Sequence, residues 1–347
     1  MKKLIILSIA ILVSIQINFA QKDKKAIEQA LGENGADLYI EADKSLLEPN
    51  EASRLSVIAV LRSDPNEENP NGEKYSETVL PPNNSIYKAT NWRIVQGGGN
   101  LFGIDETTQT YTAPAKLPAE KMVIISVDLV PQRPNLPKVQ LLQTIYFSEN
   151  ETAFVVNVPS LGIVNCKFIS KLDAGMTTPK VVNVPKNLPS EVRKQMEEAQ
   201  KQSGMQNMDL NALTSNAVSI YDANQGFTAI RFSELGAQMR DGKINPTISK
   251  EAILAFNFNG KETGSYQIGE EKTGLGFYVT QAQTGFGCGD TESESEKFPC
   301  TGKVIITEVA PKFIKGTVRV TIYTSPPMSK HIFRGTFYGK FKVKRAN

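Results

Sequence analysis

Histidine is nearly absent from this chain. The 347 residues contain one, His331, which argues against histidine-built metal sites, Ser-His-Asp triads and imidazole acid–base chemistry. An excess of one charge is missing too. The 39 Lys and Arg face 36 Asp and Glu, for a net charge of +3. A nucleic-acid footprint needs clustered positive excess, so no nucleic-acid partner is expected. No G-x-S-x-G, H-E-x-x-H or C-x-x-C element stands in a context that supports catalysis. The glycine-rich stretches GLGFYVT, itself read as a strand, and GFGCG do not open a helix after a strand, so their glycines are read as serving turns or bulges rather than phosphate cradles. No cofactor is expected. After the first residues no second long apolar run occurs, so no transmembrane segment is expected in the mature chain.

What is present begins with a leader. Lys2 and Lys3 precede an apolar run from Leu4 to Ile17, and Asn18-Phe19-Ala20 comes before Gln21 and the charged KDKK. This is the pattern of a cleavable secretory signal peptide, residues 1–20, and the run falls short of the ~20 residues a spanning helix needs. The chain is therefore expected to be exported, to the periplasm, cell surface or medium. Export permits disulfides. Cys288 and Cys300 bracket one polar loop and are the expected pair, worth about 3 kcal/mol by chain entropy. Cys166 lies in an alternating apolar run and is expected as a buried thiol outside the pair.

After a polar segment, 21–35, short strands separated by Pro, Gly and Asn fill 36–148: ADLYIEA, SRLSVIAVLRS, a Trp strand from Ala89 to Gln96, KMVIISVDLV and KVQLLQTIYF. Residues 64–77 read as a solvated loop. The glycine turn 97–99 is followed by one strand ending at Tyr111-Thr112-Ala113-Pro114. Strands at this spacing without helices are a sandwich signature. The single Trp, Trp92, shares a strand face with Ile94 by the period-two rule. Trp92 and Tyr111 are assigned to the core, with Trp92 as its plug.

These residues resemble bacterial immunoglobulin-like domains of surface proteins. The resemblance rests on Trp92-x-Ile94, the glycine turn, Tyr111-Thr112-Ala113-Pro114 and the strand around Val123 to Val127. It implies a fold and little about function, and the cysteine pair of antibody domains is missing.

Residues 149–217 read as a connector: a β-hairpin (AFVVNV, a turn at 159–162, IVNCKFIS), a further short strand at 181–184 and a helix over 186–204 with Pro189 in its first turn. Strand patterns return over 218–347. The runs GKVIITEV, KGTVRV and HIFRGTFYGKF resemble secreted Gram-negative β-sandwich domains of unknown function, through Gly302, Gly316-Thr317 and Gly335-Thr336-Phe337. The expected fold class is thus all-β: two β-sandwich domains, the first immunoglobulin-like, joined by a hairpin and a helical tether.

Candidate chemistry is thin. Asp290, Glu292, Glu294 and Glu296 alternate on the Cys288–Cys300 loop and have the oxygen chemistry of Ca²⁺ ligands, but their spacing is not that of an EF-hand. A solvated acidic loop is the simpler reading. The aromatics of the C-terminal region, Tyr266, Phe277, Tyr278, Phe286, Phe298, Tyr323, Phe333, Phe337 and Tyr338, suit either a sandwich core or a sugar-stacking face. The expected function is non-enzymatic: binding, adhesion or envelope scaffolding toward a protein or glycan ligand. A carbohydrate-binding module and a carboxylate-driven hydrolase are the alternatives, and no residue in the linear sequence singles out a carboxylate pair.

Overall fold

A computed structural model describes residues 38–63, 74–170, 217–239, 251–279, 283–289, 298–324 and 333–345. Apart from one 3₁₀ turn, every regular element among them is a β-strand. The chain divides between Phe147 and Ser148 into two compact units. The leader, the segment 21–35, the expected strand 181–184, the helix 186–204, Asp290, Glu292, Glu294, Glu296 and His331 lie outside the described residues.

The first unit contains β1 (Leu38–Ala42), β2 (Leu46–Leu47), β3 (Ala52–Ser63), β4 (Lys74–Val79), β5 (Tyr87–Gln96), β6 (Asn100–Gly103), β7 (Thr108–Thr112), β8 (Met122–Pro131) and β9 (Val139–Phe147). One sheet runs β1-β3-β7-β6, with β4 also paired to β3. β7 meets residues 52–56 of β3 and β4 meets 58–63, so the two lie end to end along one edge while β1 takes the other. The second sheet runs β2-β9-β8-β5, with β2 parallel to β9. Alternate residues of both sheets turn to one apolar cluster: Leu55, Val57 and Ala59 from β3, Tyr111 from β7, and Val123, Ile125, Val127 and Leu129 from β8. Each large side chain buried there contributes about 1.5–3 kcal/mol.

Two sequence expectations need correction here. The single strand expected after the glycine turn is a hairpin, β6 and β7, because Asp105 builds a turn between them: its Oδ1 accepts from the Thr107 amide (2.8 Å) and hydroxyl (3.0 Å). The loop expected over 64–77 gives way at Lys74 to β4, a polar strand held by its ladder with β3 rather than by apolar alternation.

The second unit contains β10 (Ala153–Val158), β11 (Ile163–Ser170), β12 (Ala217–Asp222), β13 (Phe227–Met239), β14 (Glu251–Asn259), β15 (Gly264–Gln267), β16 (Gly274–Val279), β17 (Thr284–Gly289), β18 (Cys300–Val309), β19 (Phe313–Thr324) and β20 (Phe333–Arg345). They form one 11-stranded sheet in the order β15-β18-β19-β20-β10-β11-β13-β14-β16-β17. The hairpin β10–β11, expected as a connector, lies within this sheet, paired to β20 on one side and β13 on the other. Its partners lie far away in sequence, so no local pattern reveals its place. β12 occupies the remaining gap, antiparallel to the first half of β13 and parallel to the end of β20.

The sheet curls over its own apolar face. Phe277 on β16 and Phe337 on β20 are five places apart in the strand order, yet their ring centroids are 5.7 Å apart. The ends of the sheet meet as well: the Phe298 amide, just before β18, donates to the Gly287 carbonyl on β17 at 3.0 Å. The Cys288–Cys300 disulfide ties the same two strands, with Cα atoms 6.0 Å apart. GFGCG, expected as a turn, is the strand β17. Gly285 serves close packing there, since a Cβ would come within 2.9 Å of the Tyr278 Cα, while Phe286 and Cys288 enter the core.

The disulfide thus ties the terminal strand β17 to β18 at the far side of the order. Cys288→Ala with Cys300→Ala should lower the unfolding free energy by about 3 kcal/mol, read by guanidinium titration, and reductant should do the same to the native chain. A loss well below 1 kcal/mol would mean that strand pairing and the core alone hold the ends together.

Candidate functional site

The residues that best define a site in the first unit lie along β5, the glycine turn and β6. β5 starts with Tyr87 and Ala89 facing the core. At Asn91 the backbone takes φ 55° and the ladder to β8 skips: Thr90 pairs with Asp128, but Arg93 pairs with Ser126. This bulge adds one residue and reverses the alternation, so Trp92 and Ile94 turn inward in place of residues 91 and 93.

Asp128 holds the bulge from the neighbouring strand. Its carboxylate accepts from Asn91 Nδ2 (2.9 Å), Gln140 Nε2 (3.1 Å) and Arg93 Nη1 (3.4 Å), with Lys138 Nζ at 3.7 Å. The hydrogen bonds from Asn91 and Gln140, helped by the charges of Arg93 and Lys138 and opposed by burial, hold the carboxyl below the ordinary Asp range.

Trp92 is half-buried at the margin of the apolar cluster rather than a plug at its centre. Its indole N–H donates to the Glu106 carbonyl at 2.9 Å, which ties β5 of one sheet to the β6–β7 turn of the other. Tyr111 is fully buried, and its hydroxyl donates to the Gly98 carbonyl at 2.7 Å. Burial pushes the Tyr111 hydroxyl pKa up, so it stays a donor. The glycine turn is fitted to this ring: at Gly99, with φ +104°, a Cβ would lie 2.6 Å from the Tyr111 hydroxyl.

These bonds fix a short segment whose apolar side chains face solvent. Phe102 is 74% exposed, Val95 54% and Ile104 53%. Among the described residues β6 ends the order of its sheet and β5 ends that of the other, so both are edge strands there. Edge strands are natural docking lines, and several exposed apolar residues in one segment mark an interaction surface better than scattered single ones.

The other residues singled out by sequence fall elsewhere. Cys288 and Cys300 are bonded, and Cys166 is buried on β11. Phe277, Phe286 and Phe337 are fully buried, and Tyr266 and Phe298 pack on the same cluster. Among the described residues no group of three or more His, Cys, Asp and Glu side chains comes together to hold a metal. Also among them, no helix is long and apolar enough to cross a membrane. Sequence reading missed Phe102, Ile104 and Asp128. The first two sit where a continuous strand was expected, and Asp128 reads as one polar position within a buried strand. The chain matches no protein-family model, no curated protein and no solved structure.

Two outcomes are expected here. Trp92→Phe keeps the ring and removes the donor, so it should cost about 1 kcal/mol and speed amide exchange over 104–107. Equal exchange in both proteins would deny the tie. The folded-state pKa of Asp128 lies below its unfolded value of about 3.9, so its contribution is present above that pH and is lost as pH falls through the folded value. Asp128→Asn should therefore melt below wild type at neutral pH, with the gap closing on strong acidification. A gap independent of pH would show that the charge is not involved.

Proposed function

We infer that the chain is an exported, non-enzymatic binding protein of the cell envelope, whose first unit engages a protein partner along the β5–β6 rim. The observation that carries this is Phe102, 74% exposed on an edge strand and braced on both sides by the Trp92–Glu106 and Tyr111–Gly98 hydrogen bonds. An apolar side chain presented by rigid neighbours loses little entropy on docking, which favours affinity.

The first unit is read as an immunoglobulin-like sandwich. Its strand orders, β1-β3-β7-β6 and β2-β9-β8-β5, support this reading, since they follow the A-B-E-D and C-F-G sheets of that fold with β2 added beside β9. Trp92 then falls on the strand that carries the tryptophan in antibody domains. Val57 and Val127, on the strands that antibody domains join by a disulfide, pack as apolar residues instead. The signal-like leader and the Cys288–Cys300 bond support export to an oxidising compartment. Of the aromatics weighed for sugar stacking, Phe277, Phe286 and Phe337 belong to the apolar core with Tyr266 and Phe298 packed on it, Tyr323 and Tyr338 are buried, and Tyr278 is half-buried. Among the described residues, then, no exposed row of rings supports that alternative.

Replacing Phe102 with the photo-crosslinker p-benzoylphenylalanine and irradiating intact cells tests the reading. One discrete protein adduct is expected, absent when the probe sits at exposed Lys116. Phe102→Asp with Ile104→Asp should abolish binding to the protein so identified while leaving the melting temperature near wild type. No adduct at Phe102, or one equally strong at Lys116, would overturn the assignment of this rim.

A further inference from the structure

The balanced net charge of +3 hides a local imbalance. β19 (FIKGTVRVTIYT) and β20 (FRGTFYGKFKVKR) contain Lys and Arg but no Asp or Glu. Their alternation sorts these residues onto one face. Ile314, Val318, Val320 and Ile322 of β19, with Phe337, Phe341 and Val343 of β20, point into the core. The intervening residues therefore face outward.

The register places the outward cations side by side. Lys303 on β18 is opposite Arg319 on β19, Lys315 is opposite Lys342, and Lys340 follows one row along β20. Alternate residues of a strand lie about 7 Å apart and neighbouring strands about 4.8 Å apart, so these groups form a two-dimensional lattice of positive charge. Lys303 and Lys315 are exposed, and Arg319, Lys340 and Lys342 are half-buried. Burial first, and then the charge of Arg334 near by, lower the Arg319 pKa. Two carboxylates temper the lattice: Glu151 pairs with Lys342 at 2.9 Å, and Glu308 stands opposite Lys315.

The chemistry between the cations narrows the ligand. Ser265, Gln267 and Thr301 are exposed on or beside the same rows, with Thr317 among the cations. They supply hydroxyl and amide groups suited to sugar hydroxyls. The large apolar side chains that stand exposed among the described residues all belong to the first unit. The rings on this face are not laid open: Tyr323 and Tyr338 are buried, and Lys342 Nζ sits over the half-buried Phe313 ring at 4.8 Å. Among the described residues the face thus offers no exposed ring for stacking bases and no exposed large apolar group for entering a bilayer.

We propose that the outer face of β18–β19–β20 binds an acidic polysaccharide, with the exposed Lys303 and Lys315 meeting its repeated carboxylate or sulfate groups and the half-buried Arg319 and Lys340, the latter also donating to the Ser148 carbonyl at 2.9 Å, adding positive charge behind them. Recognition is by charge and hydrogen bonding, without aromatic stacking, and the site belongs to the second unit.

The test is binding of the full mature chain to polygalacturonate and to dextran sulfate, with neutral dextran as control, over a salt series. Both charged polymers should bind at low salt and release as salt rises, and neutral dextran should not bind. Lys303→Glu with Lys315→Glu changes two exposed side chains. It should weaken binding at least about tenfold and flatten the log–log salt slope by about 2, because counterion release scales with the number of cations that meet the polymer. Hydrogen exchange on the wild-type chain with polygalacturonate bound should protect β18 to β20, a reading that needs no variant. No binding to either polymer at low salt, unchanged affinity in the double variant, or protection elsewhere would overturn the proposal. So would tighter binding to a single-stranded DNA oligonucleotide or to phosphatidylglycerol vesicles than to the two polysaccharides.

Discussion

Of the two residues that β5 inserts against β8, the one at Asn91 sets the facing of Trp92. A regular strand that turned Tyr87 and Ala89 inward would also turn Asn91 and Arg93 inward and leave the indole of Trp92 in water. The bulge at Asn91 reverses that order, and Asp128 stabilises it by accepting from Asn91 Nδ2. With the indole inside, its N–H reaches the Glu106 carbonyl and joins the two sheets at their open margin. That tie braces the β6–β7 turn beside Phe102 and Ile104, so an exposed feature of the surface is steadied through a buried carboxylate on the neighbouring strand.

The two units treat their sheet edges in different ways. The first leaves β5 and β6 as edges, with apolar side chains beside them. The second curls until β17 approaches β18, and covalent and hydrogen bonding join the two. Free edges invite pairing with other chains, and closing a sheet removes that hazard. One unit therefore keeps its edges apart, while the other ties β17 to β18 through a disulfide and a hydrogen bond.

Much of this architecture is written in local sequence. The runs around Val57, Val127, Ile145, Leu254 and Val318 alternate cleanly and are strands, and Cys288 and Cys300 sit close enough in the chain to suggest their bond. Other features depend on distant partners. β10 and β11 have the composition of any hairpin, and only the ladder to residues 336–340 makes them part of the large sheet. β2 is two leucines long and exists because Tyr146 and Phe147 run beside it. GFGCG reads as a turn until its glycines are seen pressed against β16. The rim escaped for a related reason: whether Phe102 faces solvent depends on a turn set by the side chain of Asp105. The cationic face was obscured by its own sequence, because whole-chain charge averages over surfaces and only the register of β18, β19 and β20 brings the lysines into adjacent rows.

β20 carries ladders to β19, β10 and β12, and Thr152 bonds to Lys342 across a sequence separation of 190. Pairings this distant form late, since the entropy of loop closure must be overcome before they stabilise the chain. Assembly of the second unit therefore waits for its final strand, whereas the first unit has all its partners by Phe147. A chain stalled before residue 333 would hold one finished body and one sheet with bare edges at β10 and β19, the kind of species that aggregates or recruits a holding chaperone.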